Sequence, residues 1–184
     1  MELFIQKLNY LGARLGLSPK INTYVDLEEF FLEASLYLNE DSRIRQAILN
    51  WLHRYGSLLS PSKIRRMLKV VDHDKVAVNQ IVQLLLANRV VKSNWNILVI
   101  QKTKLLSFKM NERKYLKSND FVLKNVPEIR LRAEGRAQVV ADIIAFTAKH
   151  SYKSLYEIAK KIYSPRNRVN ESFRQLILFG ILSA

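Results

Sequence analysis

Arg166, Asn167, Arg168, Asn170, Arg174 and Gln175 fall together in the stretch Ser164–Leu182, just after Lys160 and Lys161. Guanidinium and ammonium groups bind phosphates, and the planar amides and guanidinium forks can pair with base edges. The chemistry on offer is recognition of a polyanion, not bond-making. Glu171 is the exception; it could accept a hydrogen bond from cytosine or complement a helix dipole. A second set of the same residue types lies upstream. Lys63, Arg65 and Arg66, with Lys69, could hold phosphates, and Lys75, Asn79, Gln80 and Gln83 could read bases. Lys92, Asn94 and Trp95 follow as further contact candidates.

Catalytic patterns are thin by comparison. His53, His73 and His150 are scattered, and the chain has no cysteine, so thiolate zinc sites and cysteine nucleophiles are excluded. Only five glycines occur, none in a phosphate-binding loop, and there is no serine nucleophile elbow. Asp72-His73-Asp74 could ligate a metal, but a capping turn explains it without one. Glu28, Glu29 and Glu33 read as the solvated side of a helix. The expectation is no enzyme, no metal and no cofactor.

The charge balance agrees with polyanion binding. Thirty Lys plus Arg stand against 16 Asp plus Glu, a net of +14. Residues 1–42 carry three basic and seven acidic residues, a net of −4; residues 43–184 carry 27 and nine, a net of +18. The basic part should attract a polyanion and the acidic segment should not. An apolar fraction of 48% argues for a folded chain. No run is long and apolar enough for a membrane span, and Met1–Tyr10 lacks the pattern of a signal peptide. A cytoplasmic or nucleoid-associated protein is expected, with no membrane partner.

The elements that must position these residues are mostly helical. Phe4, Leu8, Leu11 and Leu15 predict a helix over Met1–Leu17, stopped by Gly16-Leu17-Ser18-Pro19. Thr23–Leu38 reads as a second, strongly apolar helix that must bury against the first, the basic region or a second copy. Asn39–Ser42 caps a helix over Arg43–Tyr55, which Gly56 stops; Ser57-Leu58-Leu59 is short and extended. Ser60-Pro61 starts a helix to Leu68, and Asp74 caps one over Lys75–Asn88. Arg89–Lys92 and Asn96–Gln101 read as two strands turning at Ser93-Asn94-Trp95. Lys102–Arg136, with ten basic and four acidic residues, reads as a partly structured connector: a helix near Asn111–Lys117 and a strand-like piece at Phe121–Leu123, broken by Pro127. Ala133–Lys149 is helical, with Val139, Val140, Ile143, Ile144 and Phe146 as its apolar side. Ser154–Tyr163 is a short helix. In the last helix Ser164 is the expected N-cap, Pro165 the first helical residue and Gly180 the stop.

Ser154–Leu178 has the layout of a helix-turn-helix with a basic second helix. Upstream, three helices followed by a hairpin resemble the winged-helix fold. That resemblance implies a third helix in the major groove and a hairpin wing on the backbone or minor groove. The unit appears twice. At a shift of 91, Val78-Asn79 fall on Val169-Asn170, Val82 on Phe173, Leu85 on Leu176 and Val90-Val91 on Ile181-Leu182; at a shift of 94, Ser60 falls on Ser154 and Ile64 on Ile158. The expected fold is mainly α with small β-hairpins: tandem winged-helix-like units after an N-terminal helical pair. The boundaries are 1–42, 43–101, a basic connector 102–136, and 137–184 with the second wing absent or truncated. The expected function is nucleic-acid binding, by preference double-stranded DNA, as a transcriptional regulator or a replication- or partition-type factor. RNA is the variant of this reading. The alternative is a protein-interaction scaffold, and Thr23–Leu38 is the candidate face for a homodimer or protein partner.

Overall fold

Acidic and hydroxyl side chains start most of the helices. The computed structural model describes residues 1–16, 22–103, 106, 108 and 110–182. It places eleven α-helices among them: α1 Glu2–Tyr10, α2 Leu27–Leu36, α3 Ser42–Tyr55, α4 Pro61–Met67, α5 Lys75–Ala87, α6 Glu112–Tyr115, α7 Asn119–Asn125, α8 Pro127–Ala133, α9 Gln138–Thr147, α10 Leu155–Lys161 and α11 Arg166–Leu178. Asp26, Asp41 and Asp74 each accept two first-turn amides of α2, α3 and α5. Ser60 and Ser154 accept one each at α4 and α10. These caps satisfy amides that the first helical turn leaves open.

The N-terminal helices are shorter than their apolar pattern suggests. α1 ends at Tyr10, because Gly12 takes a positive φ of 108° and the chain turns. A Cβ there would lie 2.5 Å from Val122 Cγ2, so glycine is needed for the approach of α7 as well as for the turn. The stop expected at Gly16–Pro19 falls mostly outside the described residues. Thr23–Asp26 is an extended arm, not helix, and α2 begins only after Asp26.

No strand forms among the described residues, and the predicted hairpin is a correction. Residues Ser93–Leu98 are a 3-10 helix. The spacing of Trp95 and Leu98 explains it: residues three apart share one face of a 3-10 helix, and both are buried. Trp95 packs edge-on against Phe31 of α2. Ile97 and Ile100, which would lie on opposite faces of a strand so that one of them turned inward, both stay exposed. Unit one therefore has no wing, and the winged-helix likeness does not hold there. Two smaller expectations change in the same direction. Gly56–Leu58 is a 3-10 turn rather than extended, and Phe121–Leu123 belongs to helix α7. Pro127 opens α8 rather than ending an element.

One apolar core runs from Phe4 to Ile129 and joins α1 and α2 to unit one and to the connector helices. The segments expected as 1–42, 43–101 and 102–136 therefore share an interior. α2 spends Phe30, Phe31 and Leu32 inside this core and leaves Leu36 exposed. A second cluster, Ile143 to Leu176, lies within α9, α10 and α11.

The repeat persists in the elements. α4 and α10 match end to end at the shift of 94, and α5 and α11 match end to end at 91. The closures after α5 and α11 also match. Arg89 and Gly180 have φ of 56° and 66°, and Val90 N–H and Ile181 N–H donate to Leu85 O and Leu176 O, each at 2.9 Å. The packing differs. α10 lies directly on α11, whereas α4 and α5 are bridged by α2 and the 3-10 segment. The three extra residues between α4 and α5 allow that separation.

Candidate nucleic-acid interface

α10 and α11 are joined by residues 162–165, with Tyr163 at a φ of 50°. The buried stripe of α11, Val169, Phe173 and Leu176, faces Ile158, Ala159 and Ile162. This leaves Arg166, Asn167, Arg168, Glu171, Arg174 and Gln175 exposed, as the periodicity required. Asn170 is half-buried. Ser164 is not the cap. The helix starts at Arg166, and no side chain from the preceding turn accepts its first amides. Asn167 Oδ1 takes the Arg168 amide at 2.9 Å, and the amides of Arg166 and Asn167, with the positive end of the dipole, favour an anion there.

Three more basic groups adjoin this end. Lys160 and Lys161 are exposed on α10. Arg66 of α4 donates to Tyr163 O at 3.4 Å, which brings it next to the turn, and Arg65 and Lys69 are exposed nearby in sequence. Between α4 and the turn lies a cleft of about 320 Å³, lined by Met67, Val70, Ala159 and Pro165 together with Arg66 and Lys160. Among the described residues, the carboxylates within ion-pair distance of a cation serve other partners, and none serves Arg65, Arg66, Lys160, Lys161, Arg166, Arg168 or Arg174.

The candidates of unit one fare differently. Asn79 is buried. Its Oδ1 accepts from Ile100 N–H at 2.9 Å and its Nδ2 donates to Gln101 O at 2.9 Å. Gln83 donates to Gln101 O at 2.6 Å and accepts from Thr103 N–H at 3.1 Å. The two amides expected to read bases are satisfied by the chain's own backbone. Gln80 is half-buried; Lys75 and Lys92 are exposed. Trp95 is in the core.

Lys63 is the largest displacement from expectation. It is 2% exposed, and its Nζ lies 2.5 Å from Asp26 Oδ2, 2.8 Å from Asp142 Oδ2 and 3.1 Å from Glu28 Oε2. Arg132 completes the group, clamping Glu28 with both Nη atoms at 2.6 and 2.9 Å and donating to Asp142 Oδ1 at 2.6 Å. Glu28, expected on a solvated face, is fully buried and also accepts from Ser60 N–H. Tyr24 O–H donates to Asp26. Five side chains thus bind the arm, α2, α4, α8 and α9 into one block, and α9 carries α11. A neighbouring station does the same: Glu128 accepts from Tyr10 O–H at 2.8 Å, Lys149 Nζ at 2.7 Å and Val25 N–H at 3.1 Å.

The oxygens of Asp26, Glu28 and Asp142 lie within 4.8 Å of one another, the spacing of a metal site. Lys63 and Arg132 already supply the positive charge among them, so the arrangement is an ion-pair block. The signal for it was in the sequence. Lys63 shares the inward spacing of Ile64 and Met67, Arg132 that of Ile129, and Asp142 that of Phe146.

Three carboxylates against two cations leave one negative charge unmatched. Burial pushes the Asp26 carboxyl up to about 7, with Glu28 and Asp142 adding to the rise against Lys63 and Arg132. Burial also opposes ionisation of Glu28, yet Arg132 and Lys63 outweigh it and hold that carboxyl well below its usual range. Asp26 therefore binds a proton in the folded chain at a pH where the unfolded chain has lost it. Stability should fall as pH rises from about 5 to 7, by at most about 1.4 kcal/mol per unit, and level off above. Urea midpoints across that range check this, and Asp26→Asn should flatten the slope. A flat wild-type profile would mean that Asp26 is ionised throughout.

Comparison with protein-family models, curated proteins and solved structures finds no match to this chain.

Proposed function

We propose that this protein binds nucleic acid, by preference duplex DNA, through the single helix α11, and acts as a transcriptional regulator or a replication- or partition-type factor. The observation that carries this is the contrast between the two third helices. α5 has its amides closed on residues 100–103, whereas α11 holds Arg166, Arg168 and Arg174 in solvent, without carboxylate partners among the described residues, and its N-cap residue Pro165 offers no side-chain cap. Arg66 and Lys160 line one cleft beside the turn and, with exposed Arg65, Lys69 and Lys161, would hold phosphates and fix the register of α11. Lys63 and Asn79 drop out of the contact set and serve the fold.

The test is an anisotropy titration of the full chain with random-sequence duplex DNA across a salt series. Binding is expected to weaken log-linearly with salt, with a slope of about −0.9 for each phosphate neutralised. No binding at low salt would sink the reading.

A further inference from the structure

We infer that the ridge of α11 running from Asn170 through Arg174 to Leu178 is a docking site for an extended acidic peptide segment, distinct from Arg166 and Arg168 at the helix start. The reasoning starts from α5. There Asn79 uses both groups of its amide on an extended stretch of backbone, Ile100 N–H and Gln101 O, and Gln83, one turn on, repeats the pattern at Gln101 O and Thr103 N–H. Two amides one turn apart thus hold a chain lying along the helix. The bonds go to backbone atoms, so they accept many sequences.

α11 has the same length, register and C-terminal closure, and Asn170 stands where α5 has Asn79. Its Oδ1 is screened from water and accepts no hydrogen bond. A polar atom left in that state is costly, and a backbone N–H brought alongside would satisfy it. The C-terminal end of α11 carries an exposed apolar surface among the described residues. Leu178 is 83% exposed, Phe179 77% and Ile181 43%.

Charge selects the occupant. Arg174 replaces Gln83 and Arg166 replaces Lys75 at the matching positions, and both are exposed. A segment lying along Asn170 meets Arg174 beside it and the Leu178–Phe179 surface beyond. An acidic residue followed by an apolar one answers both. A nucleic-acid strand would satisfy the arginine and leave the apolar surface wet.

The experiment uses a displayed library of random dodecapeptides panned on the full chain, followed by anisotropy titration of the enriched peptides. The expected result is enrichment of peptides that pair acidic with large apolar residues. Leu178→Asp, at an exposed position, and Asn170→Ala should each weaken binding at least tenfold with unchanged thermal melts, and Arg168→Glu should leave it within twofold. An absence of enrichment would overturn the proposal. So would enriched peptides indifferent to Leu178→Asp and Asn170→Ala. Loss of both peptide and duplex DNA in Arg168→Glu would also overturn it, because α11 would then be one polyanion surface. Failure of DNA binding alone leaves the docking site standing, since the two tests read different variants.

Discussion

Replacing Lys63 by Met is expected to lower the unfolding free energy by about 3–5 kcal/mol, the cost of removing one partner from a buried ion pair. The substitution keeps most of the side-chain volume, so little of the loss is packing. What it removes is the ammonium group that contacts Asp26, Glu28 and Asp142, and three buried carboxylates are then left to one guanidinium. Arg132→Met should cost a similar amount. It also strips Glu28 of its two-pronged clamp and Leu58 O of a donor. The electrostatic origin is checked by adding Asp26→Asn to Lys63→Met. Asn keeps an oxygen for the α2 cap and removes one of the uncompensated charges, so the double variant should lose clearly less than the sum of its parts. Urea unfolding of the four proteins gives the cycle. A loss below about 1 kcal/mol in Lys63→Met would mean that water reaches the site and solvates the carboxylates.

Periodicity found most of the helices, because their burial follows the 3.6-residue repeat. Ser60, Asp74 and Ser154 marked three starts correctly, and the cap of α3, Asp41, falls within the expected Asn39–Ser42 turn, since a cap is a local device and needs no tertiary partner. The failures lie where a local pattern had two solutions. Asn96–Gln101 is apolar and β-branched enough for a strand, but Trp95 found a pocket against Phe31, and burying Trp95 with Leu98 chose the three-residue repeat. Thr23–Asp26 carried enough apolar character to extend the helix, but the arm is held by side chains far along the chain, Glu128 and His150 among them. Nothing local could have announced those contacts.

The site divided along the same line. Exposed residues of α11 were legible because its buried stripe is unambiguous, and the remaining positions had to face solvent. Lys63 and Asn79 were misplaced because residue type was weighed above spacing. Both sit on inward-facing positions of their helices, Lys63 beside Ile64 and Asn79 beside Val78 and Val82. A charge on an inward stripe announces a buried partner of opposite sign, and Glu28 and Asp142 sit on such stripes too. The pairing across 79 and 104 residues of sequence is what only the folded chain reveals.

Reversing Arg166, Arg168 and Arg174 to Glu together is expected to abolish measurable binding to duplex DNA at physiological salt. Each reversal replaces an attraction to phosphate by a repulsion at the same place, and three lost phosphate contacts alone would reduce the salt slope by about 2.7. The residues are exposed and make no ion pair among the described residues, so the variant should fold normally. The control is Lys75, Lys92 and Lys102 reversed together, three exposed cations, two in unit one and one at the first residue of the connector. This second variant has the same net charge as the first, so a purely diffuse attraction to the +14 chain would suffer equally in both. The two outcomes separate a binding face from a charged surface. Selective loss in the α11 variant assigns the contact to that helix. Equal loss in both variants would show that any basic surface suffices and that α11 has no special part in it. Selective loss in the unit-one variant would move the contact to a face whose Asn79 and Gln83 are closed, and the proposed reader would be wrong.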